Sequence, residues 1–133
     1  MTAPHLPPDL AWPPALEAVL PLEVDLGTAG GHRLVLLGIE LWDGWADLRF
    51  ARIDVGADRP LKRRVPPTEA WTVTGPDGPL AVLDAVGRGD RAFSNGEVRL
   101  RPPPQPGTTV EVAVEVLPGA PALSATIHLP ARR

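Results

Sequence analysis

Residues 39–50, "IELWDGWADLRF", decide the fold, because two alternating apolar segments flank the turn dipeptide Asp43-Gly44. An Asp-Gly pair between such segments is a strong short-range signal for a β-hairpin with a type I′ turn. With this turn, positions 42, 40, 38 and 36 oppose 45, 47, 49 and 51 on one face, and positions 41, 39 and 37 oppose 46, 48 and 50 on the other. The second face is apolar and is predicted to line the core: Leu37, Ile39, Leu41, Ala46, Leu48 and Phe50.

The first face of this hairpin carries two tryptophans and three charged side chains. Trp42 and Trp45 are predicted to be cross-strand neighbours, and such an aromatic pair stabilises a hairpin by about 0.2–1 kcal/mol. Glu40 and Asp47 oppose each other beside them, which is unfavourable unless a cation neutralises the carboxylates. Arg49 lies diagonal to Glu40 and is predicted to supply that cation. These five residues form the main candidate binding site.

Two interpretations of the tryptophan pair remain open. In the first, the chain itself covers the pair with the Pro-rich segment around residues 12–14, because an uncovered pair is an apolar patch. In the second, the pair is an exposed platform flanked by carboxylates, which suits a sugar ring, a proline-rich peptide or a partner subunit. Leu34, Leu36 and Ile53 are predicted to extend the apolar character of this face, which favours a covered or paired sheet over an open sugar platform.

The sequence therefore predicts a non-catalytic binding or assembly module that makes protein–protein contacts, with a homodimer through the Trp42/Trp45 hairpin face as one form. The alternative is a carbohydrate-binding module that uses Trp42 and Trp45 together with Glu40 and Asp47. No nucleophile elbow, P-loop or dinucleotide fingerprint occurs, so neither an enzyme nor a cofactor is predicted. The three histidines have no metal-ligand spacing, so no metal site is predicted either.

The alternation of apolar and polar residues seen in the hairpin recurs along the chain in seven to eight short segments. The chain contains 18 prolines and 13 glycines, and the turns between these segments are rich in them. The clearest segment has Val110, Val112, Val114 and Val116 alternating with Glu111, Ala113 and Glu115. This pattern predicts an all-β protein, an antiparallel β-sandwich of seven to eight strands at residues 16–130, with a small barrel as the alternative. Residues 1–15 are predicted to form an extended Pro-rich arm.

Two stretches of the chain, "EAWTVTGPDGPL" and "NGEVRLRPPPQPGTTVEVAVEV", resemble small immunoglobulin-like β-sandwich domains of uncharacterised bacterial proteins. The resemblance rests on a Trp-x-Val strand, an Asp-Gly turn, a strand that ends before proline, and an alternating valine strand. The matching residues are Trp71, Val73, Asp77, Gly78, Val98, Leu100, Pro102 and 110–116. It covers roughly residues 20–130 and implies an immunoglobulin-like fold, but it implies no catalytic residue.

Composition excludes several classes of protein. The net charge of −3 argues against a nucleic-acid binder, and no apolar run is long enough to cross a membrane. The chain start lacks the charge pattern of a signal peptide, so a cytoplasmic location is predicted.

A basic loop, "DRPLKRR" at residues 58–64, carries Arg59, Lys62, Arg63 and Arg64. These four cations can bind phosphate or an acidic partner, or can simply be solvated.

Overall fold

The computed structural model describes residues 12–131, which form eight strands and one 3₁₀ turn. The strands are β1 (Leu16–Ala29), β2 (His32–Trp42), β3 (Ala46–Asp54), β4 (Trp71–Gly75), β5 (Gly78–Gly89), β6 (Phe93–Arg101), β7 (Thr109–Val114) and β8 (Leu123–His128). The 3₁₀ turn, Thr68–Ala70, directly precedes β4. All strand pairs are antiparallel, so the predicted all-β antiparallel class is confirmed.

The strands are hydrogen-bonded in the order β1-β2-β3-β6-β5-β4-β7-β8. Strands β4, β5 and β6 follow one another, and β7 returns to lie beside β4, which is the Greek key arrangement. The two end strands lie close together, since a Cβ added at Gly27 of β1 would be 3.6 Å from Leu123 Cδ2 of β8. The sheet is therefore nearly closed into a barrel, and its division into an immunoglobulin-like sandwich stays a prediction.

Alternate side chains of the strands fill the interior of this barrel. On β7 and the residues after it, the four valines at 110, 112, 114 and 116 are buried, whereas Glu111 and Glu115 are exposed. This is the predicted arrangement, and it is favourable because burying an apolar side chain releases about 1.5–3 kcal/mol while burying an unpaired carboxylate is costly.

The β2–β3 hairpin departs from the predicted register at a bulge. The register holds as far as the pair Gly38–Arg49, beyond which Leu36 rather than Leu37 pairs with Phe50. A slip of one residue exchanges the two faces of a strand. Leu37 is consequently 48% exposed, while Leu36 is fully buried. The prediction that Leu37 lines the core and Leu36 lies outside is therefore wrong.

The turn of this hairpin lies where it was predicted but has another conformation. Trp42 N donates a hydrogen bond to Trp45 O at 2.8 Å, so Asp43 and Gly44 join the two strands. A type I′ turn needs a positive φ at both residues, and neither belongs to the positive-φ residues of the described chain. The predicted turn type is therefore wrong. Asp43 N instead donates to Ala15 O at 3.0 Å, so the segment before β1 holds the turn.

Candidate functional site

The outward side chains of the hairpin form a compact aromatic and charged surface, here called the hairpin face: Glu40, Trp42, Trp45, Asp47 and Arg49. The indole rings of Trp42 and Trp45 are stacked, with centroids 5.1 Å apart and planes 6° from parallel. Trp45 is only 3% exposed, whereas Trp42 is half-buried and donates from Nε1 to Glu40 Oε1 at 3.4 Å. The predicted cross-strand pairing of Trp42 with Trp45 is thus present, but only one of the two rings is open to a partner.

Strand β6 adds two charged side chains that sequence reasoning missed. Arg99 pairs with Asp47 in the β3–β6 ladder, and Glu97 pairs with Arg49. The guanidinium of Arg99 donates to both carboxylate oxygens of Asp47, at 2.8 and 3.0 Å. Its Cζ atom also lies 5.3 Å from the ring centroid of Trp45. Trp45 therefore contacts both an indole and a cation.

The Asp47–Arg99 ion pair is itself buried, with exposed side-chain fractions of 4% and 11%. The hydrogen bond from Arg99 to Asp47 raises the pKa of Arg99, so the guanidinium keeps its charge. The predicted opposition of Glu40 and Asp47 is confirmed. Each carboxylate has its own cation, since Arg49 Nη1 lies 3.3 Å from Glu40 Oε2 as predicted.

One polar atom of this surface is buried without a partner. Trp45 Nε1 has no hydrogen-bond acceptor among residues 12–131. Leaving a buried N–H unpaired costs about 1–3 kcal/mol. The contacts of the ring with Trp42 and Arg99 must offset this cost for Trp45 to remain inside.

The accessible part of this surface consists of Glu40, Trp42 and Arg49 of the hairpin face together with Glu97 of β6. Arg49 Nη1 stands between the two carboxylates, 3.3 Å from Glu40 and 3.8 Å from Glu97. Burial raises the pKa of Glu97, and the negative charge of Asp47 raises it further. The four side chains are held by one another, so a partner meets a surface that is already ordered.

Replacing Glu97 with glutamine is expected to leave the free energy of unfolding at neutral pH unchanged or to raise it slightly, by less than about 1 kcal/mol. A carboxyl whose pKa is higher in the folded state binds more protons there, so its contribution to stability falls as pH rises above the unfolded value. Urea unfolding of both proteins at pH 7.5 and pH 4.5 measures the effect. The difference should shrink at the lower pH; a clear loss of stability at pH 7.5 would contradict the pKa direction.

The predicted cover of the tryptophan pair, the arm at residues 1–15, lies largely outside the described residues. Of its described part, Trp12 is 75% exposed, so its ring does not pack over Trp42 and Trp45. Ala15 contributes only its carbonyl, to Asp43 N.

The basic loop lies at the other end of the hairpin, next to the start of β2. Arg59, Lys62 and Arg63 are exposed, and Arg64 is half-buried with a φ of 68°. A positive φ at a non-glycine residue persists only where the surroundings hold it. The carbonyl of Arg64 accepts hydrogen bonds from Arg52 Nε at 2.9 Å and from the hydroxyl of Ser94.

Arg52 is fully buried and organises this end of the barrel. It is 1% exposed, and the register slip places it opposite Leu34, which is buried in the core rather than on the predicted outer face. The guanidinium donates to five acceptors: the carbonyls of Arg64, Asp90 and Arg91, Ser94 Oγ and His32 Nδ1. No carboxylate of the described residues lies within ion-pair distance, so carbonyl dipoles stabilise the charge.

His32 completes this network in a single tautomer. Its Nε2 atom lies 2.7 Å from the carbonyl of Arg59, which can only accept, so Nε2 carries the proton. Nδ1 is then free to accept from Arg52 Nη1 at 3.1 Å. The sequence pattern assigned no role to His32, which is fully buried.

Within residues 12–131, no group of three or more acidic or histidine side chains could hold a metal ion, and no helix is long and apolar enough to cross a membrane. Comparison with protein-family models, with curated proteins and with solved structures finds no match for this chain.

Proposed function

We propose that the protein is a non-catalytic binding or assembly module that makes protein–protein contacts through the exposed part of the hairpin face. The observation that carries this proposal is the half-buried Trp42, which is stacked on a fully buried indole and bonded to Glu40. Tryptophan and arginine dominate binding energy at protein interfaces, and side chains that are already ordered lose little entropy on binding.

The occupant we propose is a second copy of the chain. The exposed face carries both signs of charge, because Arg49 lies between Glu40 and Glu97. A twofold contact of this face with itself can therefore place the cation of one copy against the carboxylates of the other, with the two Trp42 rings near the axis.

A carbohydrate-binding module is the second candidate, favoured by the position of one open indole beside the Glu40 carboxylate. It is the weaker candidate because Trp45 and Asp47 are buried and cannot contact a sugar.

The antiparallel all-β arrangement supports the likeness to immunoglobulin-like domains. The strand order differs in one respect, because β2 pairs with β3 here, whereas the second strand of an immunoglobulin domain pairs with the fifth. A cytoplasmic location remains part of this proposal.

Sedimentation velocity over low micromolar to sub-millimolar concentrations tests the proposal. We expect the wild-type chain to sediment increasingly as a dimer, and Trp42→Ala to remain monomeric. Trp12→Ala is the matched control, because it removes the same side chain from an exposed position elsewhere, and it should dimerise like the wild type. A monomeric wild type whose tryptophan emission changes on addition of glycans would favour the carbohydrate-binding alternative instead.

A further inference from the structure

The buried Arg52 brings together two loops that are distant in the sequence. Residues 55–67 form the long loop after β3, and residues 90–92 form the short loop between β5 and β6. Arg52 Nε binds the carbonyl of Arg64 in the long loop, and Nη2 binds the carbonyls of Asp90 and Arg91 in the short loop, at 2.7 and 3.1 Å. One planar guanidinium therefore fixes both loops side by side.

The two loops carry five cationic residues, which together are called the loop rim: Arg59, Lys62, Arg63, Arg64 and Arg91. Arg91 Nε lies 3.9 Å from Asp54 Oδ2, and its Nη2 donates to the carbonyl of Ala57 in the long loop. The other four form no ion pair with any described residue. Unpaired cations on two adjoining loops give this end of the barrel a positive potential, which favours an anionic partner.

Three carboxylates lie beside the loop rim, Asp54, Asp58 and Asp90, and two of them bind backbone N–H groups. Asp54 accepts from the backbone N–H groups of Gly56 and Ala57, and these hydrogen bonds lower its pKa. Asp90 accepts from Ala92 and Phe93 in the same way. These carboxylates shape the loops, and the cations of the long loop remain available.

Two exposed apolar side chains flank the loop rim. Asp54 N donates to Ala92 O at 2.9 Å, which holds the end of β3 beside the start of β6. Val55 and Phe93, the next residues on the two segments, are 50% and 48% exposed. An anion-binding surface with apolar neighbours suits a peptide that carries both acidic and apolar side chains. A polynucleotide fits less well, because its binding needs many phosphate contacts on a protein whose net charge is −3, whereas a short acidic segment needs only the loop rim.

We propose that the loop rim is a second binding surface, separate from the hairpin face, which takes an acidic segment of a partner protein. The arginines bind its carboxylates through two parallel hydrogen bonds each, and Val55 and Phe93 contact its apolar side chains. Because Arg52 and His32 hold the loops before the partner arrives, the surface is ordered in the free protein.

The test is fluorescence anisotropy with a labelled peptide of alternating glutamate and leucine. We expect the wild-type chain to bind this peptide at low salt, with affinity that falls as salt is added. Lys62→Ala/Arg63→Ala should weaken binding about tenfold, since each exposed charge contact contributes about two- to fivefold. Arg33→Ala is the control, because it removes an exposed cation that Asp25 already neutralises, and it should change the affinity less than about twofold.

Three results would overturn this inference. The first is that the peptide does not bind at sub-millimolar protein. The second is that Arg33→Ala lowers the affinity for the peptide as much as Lys62→Ala/Arg63→Ala does, and the third is that a thymidine oligonucleotide of the same length binds more tightly than the peptide. Thermal unfolding of each variant confirms that the substitutions at these exposed positions leave the fold intact.

Discussion

Replacing Arg52 with methionine is expected to lower the free energy of unfolding by about 4 kcal/mol. The substitution keeps an apolar stem in the core but removes the donor to five acceptors, of which His32 Nδ1 and Ser94 Oγ are fully buried and the three loop carbonyls partly buried. Each buried unpaired group costs about 1–3 kcal/mol, and the total is a large part of the stability of a domain of this size. Urea unfolding followed by tryptophan fluorescence measures the loss.

Two further variants make the Arg52 test specific. Arg52→Lys keeps the charge, but a single ammonium cannot reach acceptors on both loops, so we expect it to recover less than half of the loss. Arg33→Met removes an exposed arginine from β2 and should change stability by less than about 0.5 kcal/mol. A loss below about 1 kcal/mol for Arg52→Met would show that the loops are held by other contacts.

Replacing Arg99 with methionine is expected to cost about 3–5 kcal/mol, because it leaves the Asp47 carboxylate buried without a cation. The double variant Asp47→Leu/Arg99→Met should be clearly more stable than Arg99→Met alone, since an apolar pair of similar volume often replaces a buried ion pair without loss. The loss of the Arg99 contact with Trp45 is present in both variants and does not affect this comparison.

A double-mutant cycle with a matched control isolates the interaction of Asp47 with Arg99. Asp25 and Arg33 form the same chemical pair at 2.9 Å, but their side chains are 51% and 44% exposed. We expect a coupling energy of at least about 2 kcal/mol for the buried pair and a clearly smaller one for the exposed pair, which solvent screens. Equal coupling energies for the two pairs would contradict the account of the hairpin face.

The features that could be predicted from the sequence are those that neighbouring residues determine. Alternation and the Asp-Gly dipeptide at residues 43–44 depend on neighbouring residues, so the hairpin, its outer tryptophan pair and the Arg49–Glu40 contact were predictable. The bulge at Leu37 was not, because a strict period of two contains no signal for an extra residue. The only local sign of the bulge is Gly38, since a glycine inside a strand often marks a bulge or a close backbone approach. In the structure a Cβ at this position would lie only 3.2 Å from Leu20 O of β1.

The residues that complete both surfaces come from strand pairings that sequence reasoning did not identify. Glu97 and Arg99 reach the hairpin face only because β6 pairs with β3, although their charges complement Arg49 and Asp47 in antiparallel order. Arg52 was overlooked because an arginine in a strand is expected to face solvent. Arg52 lies two residues after the core residue Phe50, and residues two apart on a strand face the same side of the sheet. This spacing in β3 was the feature of the sequence that could have predicted an inward-facing arginine.

The four indole N–H signals of the chain provide the most direct test that the hairpin face is the contact surface. In a ¹⁵N–¹H correlation spectrum recorded over a dilution series, we expect the Trp42 signal to shift with concentration, and the Trp45 signal to follow by a smaller amount. Trp12 is not part of the hairpin face and Trp71 is buried in the core, so their signals should move less than that of Trp42. If all four signals stay fixed up to sub-millimolar concentration, or if only Trp12 moves, the second copy of the chain does not bind at the hairpin face.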